Sequence, residues 1–102
     1  MSNQEYTKTN PNISYEEFYS LVKDVKNFSS LTGRKYEVQS TDNEIMKIVR
    51  LFTDKIWPLN LKGVHQAYLN LTDFKTVNFK PYLNRTHSPA LGLLFHVGLL
   101  IK

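Results

Sequence analysis

Residues 35–60 read KYEVQSTDNEIMKIVRLFTDKIWPLN, and this stretch decides the fold. Apolar and polar side chains alternate over 35–40, which is the period of a half-buried β-strand. Turn-forming residues follow at 41–44. Residues 45–52 fit either a second strand or a helical stripe, but their β-branched residues and the preceding turn favour the strand. The pattern therefore predicts an antiparallel hairpin.

A short third strand is predicted over 56–59. Pro58 would confine it to an edge of the sheet, because proline cannot donate a ladder hydrogen bond. Helices would cover one face of this meander, and the other face would be open to water or to a partner. The side chains expected on the open face are Glu37, Gln39, Lys47 and Trp57.

Helical signals lie on both sides of the meander. Residues 14–17 (SYEE) form a capping box, and the apolar residues after them recur with a helical period, so we predict a helix over 14–28. Asn60 is placed to cap a second helix that has one apolar side. Gly63 in its first turn would weaken this helix by up to about 1 kcal/mol.

The C-terminal third of the chain is predicted to end in a helix. Residues 72–87 are expected to be irregular, with one short helical turn at most. Ser88 followed by Pro89 is typical of an N-cap and the first helical residue. Gly98 suits the left-handed position that closes a Schellman motif.

These elements predict an α+β fold: a small antiparallel β-meander of two to three strands packed against about three helices. We expect a single compact domain over 13–102, after a flexible polar tail over 1–12. The length and the 41% hydrophobic content are those of one globular domain.

Composition narrows the chemistry and the compartment. The chain has no cysteine, which excludes disulfides, thiolate metal sites and thiol nucleophiles. The first twelve residues lack the apolar core of a signal peptide. The longest apolar run, 91–101, is about half of the roughly 20 residues that a membrane-spanning helix needs. We therefore expect a cytoplasmic protein that makes no membrane contact.

The positive charge is concentrated at the C-terminal end. Residues 1–73 contain nine bases and nine acids, whereas no acid follows Asp73. The net charge of +4 is therefore carried by four residues: Lys75, Lys80, Arg85 and Lys102. A segment of one sign can meet an anionic partner, although four charges also fit an ordinary basic surface.

The leading candidate site lies just before the last helix. Lys80, Arg85, His87 and the amides following Ser88 could bind phosphate or another anion, with Tyr82 as a stacking neighbour. The simpler interpretation is that Ser88 only caps the helix and Arg85 is solvated.

A second set combines bases and aromatics on the predicted sheet: Arg34, Lys35, Tyr36, Arg50 and Trp57. Such sets can stack on nucleobases while they hold the backbone. The simpler interpretation places the two aromatic side chains in the core or at its rim.

Two other functions are weighed against anion binding. A protein-interaction module or homodimer would use Trp57, Leu99 and Leu100 as contacts. A metal-dependent nuclease, which is the less favoured alternative, would use acids around the hairpin with Lys47: Glu37, Asp42, Glu44 and Asp54. Their spacing matches no nuclease motif, and the three histidines lack metal-site spacing. We predict no catalytic residue, metal ligand or cofactor, and a small non-catalytic binding protein whose best-motivated ligand is nucleic acid.

Overall fold

The computed structural model describes residues 6–31, 33–42, 44–51, 54–72, 74, 76–83 and 86–101. Over these residues the helices are α1 (Tyr15–Val22), α2 (Leu61–Asn70), α3 (His87–His96) and a 3-10 helix (Thr76–Phe79). The strands are β1 (Thr7–Lys8), β2 (Asn27–Ser29), β3 (Lys35–Thr41), β4 (Ile45–Arg50), β5 (Lys55–Asn60) and β6 (Leu100–Ile101).

The predicted meander forms the centre of a four-stranded antiparallel sheet with the order β2-β3-β4-β5. Ile48 lies opposite Val38 on one side and Trp57 on the other. The choice of a strand over a helix at the start of 45–52 is therefore confirmed, and β5 lies at the edge, as Pro58 requires. The α+β class is confirmed, with more strands than the two to three expected.

The first helix is shorter than the predicted 14–28. Its cap is as expected, because Ser14 Oγ accepts a hydrogen bond from Glu17 N at 3.2 Å. The helix nevertheless ends at Val22, and Phe28 lies in β2, where its ring stacks on Tyr36 at 5.5 Å. Phe28 fits a helical spacing, but its burial between the sheet and α3 outweighs that local preference.

Part of the segment expected to be a flexible tail is paired. Thr7 and Lys8 lie opposite Ile101 and Leu100 in a small second sheet. Thr9 N also donates to Leu99 O at 2.9 Å. Two-residue strands have no readable period, so this pairing depends on contacts that the sequence pattern does not display.

The last helix ends as predicted but begins earlier. Gly98 has a φ of +80°, and its amide donates to Phe95 O while Leu99 N donates to Leu94 O, which completes the Schellman motif. The N-cap, however, is Thr86 rather than Ser88, and the Thr86 side chain makes no capping bond. The 3-10 helix is the short helical turn expected within 72–87.

One sheet face packs on the helices and the other is open. Glu37, Gln39 and Lys47 are exposed, as predicted for the open face. Trp57 is not with them: it lies opposite buried Ile48 and packs against the core from its rim.

Within the described part of the chain, no helix is long and apolar enough to cross a membrane.

The β3–β4 turn contains a carboxyl that accepts two backbone hydrogen bonds. Asp42 Oδ1 accepts hydrogen bonds from Ile45 N at 2.8 Å and Glu44 N at 3.0 Å, and these lower the pKa of the carboxyl below its usual 3.8. A lowered carboxyl pKa stabilises the folded state above the unfolded pKa, and that stabilisation is lost as the pH falls through the folded value.

We expect Asp42→Asn to remove this dependence, because an amide oxygen can still accept both bonds but does not titrate. From about pH 5 to about pH 2.5, the wild type should therefore lose more free energy of unfolding than Asp42→Asn does. Urea unfolding at both pH values measures the difference, since the other carboxyls contribute equally to both proteins. Equal losses would contradict a special role for Asp42.

Candidate functional site

The segment favoured by the sequence does not converge on a free anion site in the described residues. Lys80 is exposed, but the half-buried His87 is already engaged, with its Nε2 2.9 Å from Leu83 O. The amides after Ser88 are not available either. Pro89 has none, and Ala90 N donates to Thr86 O at 3.0 Å. Arg85 lies outside the described residues.

The half-buried Tyr82 helps to anchor the same segment to α2. A Cβ built on Gly63 would lie 2.5 Å from Tyr82 O, so only glycine allows the two backbones to approach this closely. The glycine that was expected to weaken α2 therefore lets Tyr82 and Leu83 pack against it. Tyr82 here has a packing contact, which is independent of any stacking role.

The predicted partner contacts are largely used inside the chain. Leu99 is 2% exposed and Leu100 is 1% exposed, so both side chains complete the core of their own domain. Trp57 is half-buried on the helix-covered face of the sheet. This trio does not form a surface on which a partner could dock.

The sheet instead brings together another group of bases. A cleft of about 520 Å³ opens at the end of the sheet where β3 begins and β4 ends. Its described lining, which we name the basic cleft, carries three cations and no carboxylate: Gly33, Arg34, Lys35, Arg50 and Leu51.

A tight turn and the hairpin register build this cleft. Gly33 has a φ of +91°, a left-handed conformation that favours glycine, and Gly33 N donates to Ser30 O at 3.0 Å. Ser30 N also donates to Arg34 O at 2.8 Å, which fixes Arg34 at the start of β3. On the next strand, Arg50 lies opposite Tyr36, and Leu51 N donates to Lys35 O at 3.2 Å.

Arg50 is the distinctive member of the cleft. Its side chain is half-buried, and its buried Nε has no hydrogen-bond partner among the described residues. Lys55 is its cross-strand neighbour in β5, so two positive charges sit side by side. A buried guanidinium donor without an acceptor, among like charges, is costly unless an anion supplies the acceptor.

The sequence pattern groups these cations with two aromatic residues, Tyr36 and Trp57. Tyr36 is buried and Trp57 faces the helices, so neither ring is presented for stacking on a nucleobase. Only the three cations come together in the basic cleft. The hairpin register is the signal in the sequence that could have predicted this cleft. Pairing of 35–40 with 45–50 places Arg50 beside the first residues of β3.

The acids proposed for a nuclease do not cluster. Asp42 and Glu44 lie at one end of β4, whereas Asp54 follows its other end, about 20 Å away at the usual rise of about 3.3 Å per residue. Glu44 pairs with Lys62 at 3.5 Å on the surface. Across the described ranges, no group of three or more His, Cys, Asp and Glu side chains could hold a metal ion.

A second cleft of about 430 Å³ lies between the ends of α1 and α3. It has a mixed lining that includes the Asp24 carboxylate together with Lys26 and His96. His96 is exposed there. The mixed charge suits an anion less well than the basic cleft does.

Comparison with protein-family models, curated proteins and solved structures finds no match to this chain.

Proposed function

We propose that this protein is a non-catalytic binding protein whose basic cleft holds phosphate groups of a nucleic acid backbone. The observation that carries the proposal is Arg50, whose buried Nε lacks a partner among the described residues while Arg34 and Lys35 line the same cleft. A guanidinium is the cation best suited to a phosphate, because its planar fork donates two parallel hydrogen bonds.

The orientation of α3 supports an anion site at the same end of the sheet. Gly92 lies against the backbone of Ser29 and Ser30, and His96 lies beside Phe28, with ring centroids 6.4 Å apart. The N-terminal end of α3 therefore points toward the end of the sheet where the basic cleft opens. The positive end of a helix dipole favours anions in its vicinity.

The mode of binding follows from the groups that are presented. The cleft offers cations. The Tyr36 ring is buried and the Trp57 ring packs against the core, so neither is presented for stacking on a nucleobase. Contacts of this kind position a nucleic acid through its phosphates and do not read its sequence. Binding should therefore be sequence-independent and steeply salt-dependent.

Fluorescence anisotropy with labelled single- and double-stranded DNA and RNA tests the proposal. We expect affinity to fall between about 50 and about 200 mM salt, and Arg50→Gln to raise the Kd about tenfold, since a hydrogen bond to a charged group contributes about 1.5–3 kcal/mol. Arg34→Gln should act in the same direction. Lys23→Gln removes the same charge from the exposed C-cap of α1 and is the matched control.

Three outcomes would contradict this assignment. Absence of binding even at low salt would remove nucleic acid as the ligand. Equal weakening by Arg50→Gln and Lys23→Gln would reduce the effect to net charge. Weakening by Arg85→Gln or Lys80→Gln, with Arg50→Gln binding normally, would place the contact in the segment before α3. Circular dichroism of each variant checks that the fold is retained.

A further inference from the structure

The open face of the sheet carries an apolar pair at its centre. Ile56 on β5 lies directly opposite Val49 on β4. Ile56 is 56% exposed and Val49 is half-buried, although both are large aliphatic side chains. Contact of these apolar side chains with water is unfavourable.

Charges of opposite sign flank this pair. Glu37 on β3 is the cross-strand partner of Val49, and Lys47 lies two residues away on β4, on the same face. Both side chains are exposed. Glu37 therefore lies beside Val49 across the strands, Lys47 lies beside it along β4, and the two charges are about 8 Å apart.

This arrangement is self-complementary. In a sheet, neighbouring strands lie about 4.8 Å apart, and residues two positions apart on one strand are separated by about 6.6 Å. With these spacings, a two-fold axis that lies parallel to the sheet and crosses diagonally between Val49 and Ile56 sets the pair against its own copy. The same rotation brings Glu37 of each copy opposite Lys47 of the other.

We propose that a second copy of this chain docks on this face, so that the protein forms an isologous homodimer through Val49, Ile56, Glu37 and Lys47. This inference goes beyond the proposed function, because none of the four residues lines the basic cleft. Charge complementarity favours a second copy, since Glu37 next to the apolar pair would repel a phosphate backbone, whereas Lys47 of another copy neutralises it. Face-to-face packing of two twisted sheets is a common arrangement in proteins.

The dimer should be reversible. The open face of four short strands is smaller than the roughly 800 Å² per partner of a standard interface, so we expect a micromolar or weaker Kd. Sedimentation equilibrium over a concentration series measures it. Ile56→Asp should abolish dimerisation, whereas Val77→Asp, at a 62% exposed position on the 3-10 helix, is the matched control and should dimerise normally.

A charge swap tests the arrangement itself. Glu37→Lys and Lys47→Glu should each weaken the dimer about tenfold, because each sets like charges against each other. The double variant should regain most of the wild-type affinity. A monomer at millimolar concentration, a dimer unaffected by Ile56→Asp, or a double variant no better than the single ones would overturn the proposal. None of these outcomes bears on the Arg50 test, whose readout is nucleic-acid affinity.

Discussion

Gly92→Ala is expected to lower the free energy of unfolding by about 2–3 kcal/mol, although alanine is a better helix former than glycine by about 1 kcal/mol. Gly92 is buried in the middle of α3, where the helix crosses β2 and the residue that follows it. A Cβ at this position would lie 2.4 Å from Ser29 O and 2.8 Å from Ser30 Cα. Both atoms belong to the backbone, so neither can rotate away as a side chain would.

Accommodating a methyl group at Gly92 requires α3 or β2 to move. Ser30 N donates to Arg34 O and Gly33 N donates to Ser30 O, so a shift here also disturbs the turn that builds the basic cleft. The cost of separating the two elements should exceed the gain in helix propensity. A lower free energy of unfolding in Gly92→Ala would therefore show that Gly92 is needed for packing. A higher value would show that glycine is merely tolerated there.

Urea unfolding of Gly92→Ala measures the effect, with Ser20→Ala on the exposed side of α1 as the propensity control. Gly63→Ala should behave like Gly92→Ala, because its Cβ would meet Tyr82 O at 2.5 Å. A Gly92→Ala variant as stable as the wild type would contradict the close approach of α3 to β2.

The parts of the fold that the sequence predicts are those governed by local chemistry. Alternation and a proline predict the meander and its edge, Asn60 is read as the cap of α2, and Gly98 as the left-handed end of α3. Each of these signals acts within a few residues of itself. Tertiary contacts have little opportunity to override such signals.

The errors arise where distant segments decide the conformation. Phe28 has a helical spacing from α1 but joins β2, because the sheet and α3 bury its ring. Ser88 and Pro89 form a plausible helix start, yet α3 begins at His87 after the buried Thr86. In both places the local pattern was compatible with two structures, and tertiary packing decided between them.

The candidate site also depends on contacts between distant segments. Residues 80–88 form the site that the sequence favours because their bases lie close together in sequence, and local composition detects only such neighbours. Arg34 and Arg50 are far apart in the chain and meet through the β3–β4 pairing. A site assembled across strands becomes visible in a sequence only after the register is known.

The second large effect is expected at Tyr68, which joins α2 to both ends of the described chain. Its side chain is completely buried, and its hydroxyl donates to Leu99 O at 2.9 Å and accepts from Asn10 N at 3.1 Å. Lys8 Nζ lies 5.6 Å from the centroid of the Tyr68 ring and 3.2 Å from Leu69 O, and burial lowers the pKa of Lys8. One phenol thus connects three segments that are remote in sequence.

Tyr68→Phe keeps the ring but removes both hydrogen bonds. Leu99 O retains its bond from Thr9 N, whereas Asn10 N loses the acceptor that Tyr68 provides, so we expect a loss of about 2 kcal/mol in the free energy of unfolding. Hydrogen exchange should accelerate most at the paired residues of β1 and β6. Tyr19→Phe, at a half-buried position on α1, is the control and should change little.

A uniform loss of protection throughout the domain would mean that Tyr68 contributes only to the general core. A loss concentrated in β1 and β6 would show that the phenol holds the terminal sheet to α2. The second result is expected, because two-residue strands supply too few ladder bonds to remain paired alone. Their pairing must therefore depend on Tyr68 and on the Lys8 contacts beside it.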